Sequence, residues 1–169
     1  ISQHADTTGA ASACEAKKVP CVGYNIDMIP TAPDAALTSA TINWAPYYTY
    51  AVKSVIDGTA IETDWSKGVK DGADAITELN DKTVAEGTKE AVEKAQKEIE
   101  DGTLHVFDTS KFTVGGKTLE ELVKSGDEDA TKLKDYIKDG YFHESDVESG
   151  MPSAPAFTFI IDGINSITK

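Results

Sequence analysis

Cys21-Val22-Gly23-Tyr24-Asn25-Ile26-Asp27-Met28, followed by Leu37-Thr38-Ser39-Ala40-Thr41-Ile42 and then Asn43-Trp44-Ala45-Pro46-Tyr47-Tyr48, decides the fold. The first four residues are a short apolar run that Pro20 separates from what precedes it, and they read as a strand. Ile29-Pro30-Thr31-Ala32-Pro33-Asp34 is too rich in proline for regular structure. Leu37 to Ile42 alternates apolar and hydroxylated residues and is a second strand. Asn43 then suits an N-cap with Pro46 in the first turn, and Tyr48, Ala51, Val52, Val55 and Ile56 recur at helical spacing. That stripe predicts an amphipathic helix with one buried face, closed by Asp57-Gly58.

Working outward, Ile1 to His4 reads as the end of a strand, and Ala10 to Lys17 as a helix opened by Thr8-Gly9. The order β, α, β, β, α predicts a layered α/β sheet. Trp65 to Ile76 suits two short strands around a turn. Val84 to Asp101 predicts a helix with a stripe of Val84, Thr88, Val92, Ala95 and Ile99, supported by Glu90–Lys94 and Glu93–Lys97 pairs. The last third changes character, with a Gly115-Gly116 hairpin within 112–118 and helices at 119–124 and 130–137. A polar loop over 143–155 and a final strand over 157–161 complete it. The chain thus reads as an α/β portion followed by a last third of different character.

Composition narrows the function. The chain has 169 residues, 40% hydrophobic and 27% charged, in the range of a single globular domain. Its 16 basic residues against 29 acidic ones give a net charge of −13. That balance repels phosphate backbones and anionic headgroups, which argues against nucleic-acid binding. No apolar run approaches the ~20 residues that span a bilayer. The opening Ile1-Ser2-Gln3-His4 predicts an excised part of a longer protein, with any export signal or lipid anchor outside this chain. Cys14 and Cys21 do not form a CxxC motif. A disulfide between helix and strand is geometrically open, but two small buried thiols are the reading we adopt.

In open α/β sheets, ligands bind beyond the carboxyl ends of the strands. Three such ends carry polar or aromatic groups here: His4-Ala5-Asp6-Thr7-Thr8-Gly9, Asn25-Ile26-Asp27-Met28 and Asn43-Trp44. Asp6, Asn25, Asp27 and Trp44 are the candidate ligand-binding residues, since carboxylates and amides take hydrogen bonds from a diol or base and an indole offers a stacking face. Taken singly, Asp6 is equally a helix cap, Asp27 a turn residue and Trp44 a core residue. Only their convergence points to a ligand. No GxSxG, P-loop, HExxH or complete GxGxxG is present, and His4, His105 and His143 are scattered. Asp127-Glu128-Asp129 lacks calcium-loop spacing and reads as solvated surface. The residues thus predict binding without catalysis, and call for no cofactor and no metal.

Several runs resemble a known family. Gln3-His4-Ala5-Asp6-Thr7-Thr8-Gly9 resembles its QHADxxG segment, and Gly23 to Met28 its G-x-D/N-x-D-M/Q stretch. Pro33-Asp34 with Leu37-Thr38-Ser39 matches PDxxLTS, Asn43 to Tyr48 matches NWxxYY, and Val55-Ile56-Asp57-Gly58-Thr59 matches VLDGT. Lys67 to Gly72 is similar to GLKDG, and Ile99 to Phe107 to IxxGxLxVF. Their order and spacing identify residues 1 to about 108 as the C-terminal part of a basic membrane protein, a substrate-binding lipoprotein of ABC importers. The resemblance implies a type I periplasmic-binding-protein fold of two lobes, with a purine nucleoside or nucleobase held between them by Asp6, Asn25, Asp27 and Trp44.

It further implies ABC permease subunits as partners, and a place at the extracellular face of the cell membrane or in the periplasm. A truncated fold leaves strand edges that a homodimer or strand exchange would cover. Two departures stand out: Ile42 where many nucleoside binders of the family carry Lys, and Asn25 where they often carry Asp. Both point towards a ligand with fewer ribose contacts, such as adenine. The competing readings are a surface interaction module that has lost its ligand, and a nucleoside-processing enzyme using Asp6 or Asp27 as a base.

Overall fold

The computed structural model describes residues 1–144 and 151–167. They form two compact units, one of residues 1–61 and 67–103, the other of 62–66 and the chain from Leu104 onward.

In the first unit, β1 (Cys21–Tyr24) lies parallel to β2 (Ala36–Ile42), which pairs antiparallel with β3 (Asp74–Ile76). Ser2 bridges Val22 in parallel on the far side of β1, so the predicted strand end is a single bridge at the sheet edge. Mixed pairing with α1 (Gly9–Lys17) and α2 (Ala45–Asp57) makes this an α/β sheet of partial periplasmic-binding-protein type. Ala11 and Cys14 of α1 pack with Cys21, Met28, Ala32, Ala35 and Ala36 in a core of small residues. The two thiols are free and buried in that core. Burial, and then the neighbouring Cys14 thiol, push Cys21 above its ordinary pKa.

Gly23 has a steric reason. A Cβ there would collide with Ser39 Oγ and lie 2.5 Å from Met28 Cγ, so only glycine lets the loop after β1 fold back. Asn80, buried, fastens a distant segment. Its amide donates to Pro33 O at 2.9 Å and Ala36 O at 2.8 Å, and its Oδ1 accepts from Lys82 N.

Three readings of this unit are corrected. The stripe on α2 is apolar as predicted, but Val55 is 70% and Ile56 77% exposed, and Ser54 is the helix's one buried residue. The segment 65–76 holds a 3-10 turn (Val69–Asp71) and one strand, not two. Helix α3 (Thr88–Glu100) starts after Gly87, and its ion pairs run from lysine forward: Lys89–Glu93, Lys94–Glu98 and Lys97–Asp101.

The second unit packs Leu119, Leu133, Ile137 and Phe142 with Phe112, Tyr136, Phe157 and Phe159. The hairpin forms as expected. Val114 and Lys117 exchange backbone bonds, with Gly115 and Gly116 at φ of 59° and 76°, values only a primed two-residue turn uses. Helix α4 (Leu119–Ser125) begins with a capping box of Thr118 and Glu121. The helix expected over 130–137 is instead α5 (Glu128–Lys132), because Asp127 caps the amides of Asp129 and Ala130. A two-stranded ladder follows, β4 (Ile137–Lys138) with β5 (Tyr141–Phe142). The expected strand over 157–161 has the alternating burial of an extended chain but no ladder partner among the described residues. Part of the expected loop over 143–155 lies outside the described residues. Among them, no helix is long and apolar enough to cross a membrane.

Candidate functional site

A cavity of about 570 Å³ opens where β1 ends, between the loop after Tyr24 and the segment leading into α1. Asp6, Thr7, Thr8, Tyr24 and Asn25 line it, with Met28 behind. The short strand β1 delivers Tyr24 and Asn25 to the sheet edge. Backbone bonds from Gln3 N to Val22 O and from Val22 N to Ile1 O hold the other wall against β1. Tyr24 is the aromatic residue of the lining, and the His4 ring packs against it at a 33° tilt with centroids 4.0 Å apart.

The four candidate residues separate. Asp6 and Asn25 come together in this cavity. Asp6 does not cap α1; Thr7 Oγ1 accepts the Gly9 N–H at 3.2 Å instead. Asp27 is exposed, and its Oδ1 accepts from Ile29 N at 2.9 Å, the bond of a turn residue. Trp44 is 53% exposed and stacks on Tyr48 with centroids 6.0 Å apart, with its edge towards Tyr47. Neither Asp27 nor Trp44 is among the residues that line the cavity. Asn43 is the expected N-cap of α2, but Trp44 holds that position without a side-chain cap bond. Asn43, one residue earlier, closes a turn by accepting from Ala45 N at 3.2 Å, while its amide donates to Gly72 O.

Sequence reasoning missed Tyr24, Thr7 and Thr8 as lining residues. The signal was available, because Tyr24 is the last residue of a strand and the threonines precede a helix, both positions at a carboxyl-end crevice. Also missed was Gln3. Its Oε1 takes the Ala5 N–H at 2.7 Å, while Nε2 is buried with no acceptor among the described residues. Orphaned buried donors are uncommon in folded proteins.

Chemically, the cavity offers one carboxylate, one carboxamide, two hydroxyls and an aromatic wall. Such a set suits a small flat polar molecule with ring nitrogens or hydroxyls. Among the described residues no group of three or more His, Cys, Asp and Glu could hold a metal ion.

A parallel-containing α/β sheet with a polar cavity at its strand ends is the arrangement in which α/β proteins place their ligands. Residues 1–104, well over half of the chain, match the family described as ABC transporter substrate-binding protein, PnrA-like (Bmp), and the chain belongs to that family. It is similar to a purine-binding protein of Brucella abortus (strain 2308), 28% identical over 138 residues. That alignment covers 81% of this chain and 39% of the relative, so the chain spans well under half of the relative's length.

Proposed function

We propose that this chain forms part of an extracytoplasmic receptor that captures a purine nucleoside or nucleobase for an ABC importer, without catalysing a reaction. The observation that carries the reading is the cavity at the end of β1, where Asp6, Asn25 and the Tyr24 ring converge in a member of a substrate-binding family. A purine presents ring nitrogens and exocyclic groups at its edge and two flat faces. Asn25 supplies both a donor and an acceptor for such an edge, Asp6 accepts from N–H or ribose hydroxyl groups, and Tyr24 flanks the ring with His4 packed behind it. The name of the Brucella abortus relative supports purine as the ligand class.

Asp27 and Trp44 remain part of the proposal as residues facing a cleft whose other wall this chain does not contribute. On this reading residues 1–108 belong to one of two lobes, and 109–169 are an extension. Permease subunits are the proposed partners, a lipid anchor is the proposed attachment to the membrane, and exposed strand edges are where a second copy would pair.

Calorimetric titration of the two-lobe receptor containing this chain with adenine, adenosine, guanosine and inosine tests the proposal. Micromolar or tighter binding to one of them, with the compound recovered unchanged, is expected. Absence of heat with all four contradicts the purine reading, and release of free base from a nucleoside contradicts the absence of catalysis.

A further inference from the structure

Asn25 sits in a backbone conformation that needs explaining. Its φ is 69°, and Ile26 N donates to Tyr24 O at 2.8 Å, closing a three-residue turn around it. A γ-turn with positive φ at its centre is the rare, strained form. Such strain persists only where the surroundings over-determine it, and it collects at ligand clamps and active sites. Asn is among the residues that tolerate positive φ best, but tolerance does not select the conformation.

The selecting bonds come from β2. Asn25 N donates to Ala40 O at 2.6 Å, extending the parallel ladder by one residue. Asn25 O then accepts from Thr41 Oγ1 at 2.7 Å. At the far end of the loop, Met28 N donates to Ser39 Oγ at 3.3 Å. Ser39 and Thr41 are two apart on one strand, so their side chains share a face. The space left by Gly23, which pairs with Ser39, is what admits Met28 and the Ser39 hydroxyl to one another.

We propose that Ser39 and Thr41 are positioning residues for ligand capture: their hydroxyls clamp the two ends of the loop Asn25 to Met28 and set the Asn25 side chain at the cavity. The proposal rests on the solute-binding reading of that cavity. Neither hydroxyl lines the cavity, so both act through Asn25 and the loop backbone.

Thr41 is half-buried and offers the cleaner test, because Thr41→Val keeps the shape and removes only the donor. In the receptor, Thr41→Val is expected to weaken adenine binding about fivefold, the value of one hydrogen bond of roughly 1 kcal/mol. Amide exchange at Asn25 and Ile26 should quicken, and Thr41→Ser should restore both affinity and protection. Ser39→Ala should quicken exchange at Met28. Unchanged adenine affinity in Thr41→Val, or unchanged exchange at Asn25 and Ile26, overturns the proposal. If the parent receptor binds no adenine, adenosine, guanosine or inosine, the purine reading falls, while the exchange measurement still decides whether the hydroxyls clamp the loop.

Discussion

Asn25 shows how one position can carry both a backbone requirement and a chemical one. Its φ of 69° costs an ordinary L-residue roughly 1–2 kcal/mol, and glycine or asparagine much less. The proposed ligand contacts, in contrast, need the carboxamide itself. Asn25→Gly should therefore leave stability nearly unchanged, and Asn25→Ala should lower it by about 1 kcal/mol in urea denaturation. Both should weaken purine binding by about tenfold in calorimetry, since each removes the side-chain hydrogen bonds. A loss of binding that tracks stability across the two variants would argue that Asn25 serves the turn alone. At this scale the sequence was informative about chemistry and less so about geometry. Asp6 and Asn25, singled out by residue type at strand ends, do line one cavity. The clamp from Thr41 has no such signal, because it joins residues 16 apart through a side-chain hydroxyl. Asp27 illustrates the opposite case: the same Asx chemistry that suits a ligand also closes a turn on Ile29 N.

Elements differ in how much of their fate lies within their own residues. Helix α1 and strands β1 and β2 are bounded by Pro20 and by a proline-rich turn, and their bounds follow from local punctuation. The apolar stripe on α2 tells which face is hydrophobic but not whether anything covers it, so its exposure had no local signal. Likewise the alternation over 157–161 makes an extended chain, whereas a strand also needs a partner. In the second unit, carboxylates tie the loops. Asp162 accepts from Thr113 Oγ1 at 2.5 Å and from the Gly116 and Gly115 amides, and Asp64 accepts from the Ser153 hydroxyl and amide. Those bonds hold both carboxyls below their ordinary pKa. Bonds from Ser110 and Lys111 bring Asp108 down to about 2. A depressed folded pKa adds stability above the unfolded value of about 3.9, and that stability is lost as pH falls through the folded value. Acid titration followed by the tyrosine and phenylalanine signals of this unit should show loss of structure between about pH 4 and pH 2. Asp162→Asn should make that transition shallower. A transition that Asp162→Asn leaves unaltered would show that this carboxylate does not tie the hairpin to the residues around 162.

At the scale of the molecule, the fold class was legible because alternating strands and helices leave few architectures open. The cavity lies where the rule that ligands gather at strand ends directs attention. How the chain divides was harder to read, because Glu62–Ser66 pack with a unit otherwise made of residues far along the chain. That grouping depends on contacts such as Asp64 with Ser153, 89 residues apart, which no local pattern announces. The acidic surface fits capture of a small neutral or cationic solute better than of a polyanion, as a net charge of −13 implies. Purine binding in the cavity at the end of β1 can be followed through the backbone amide chemical shifts of the receptor by NMR as adenine is added. Saturable shifts concentrated at Asp6, Thr7, Thr8, Tyr24 and Asn25 are expected. Shifts confined to the exposed face of α2 around Tyr48 and Val52, or no shifts at millimolar adenine, adenosine, guanosine and inosine, would contradict purine binding there.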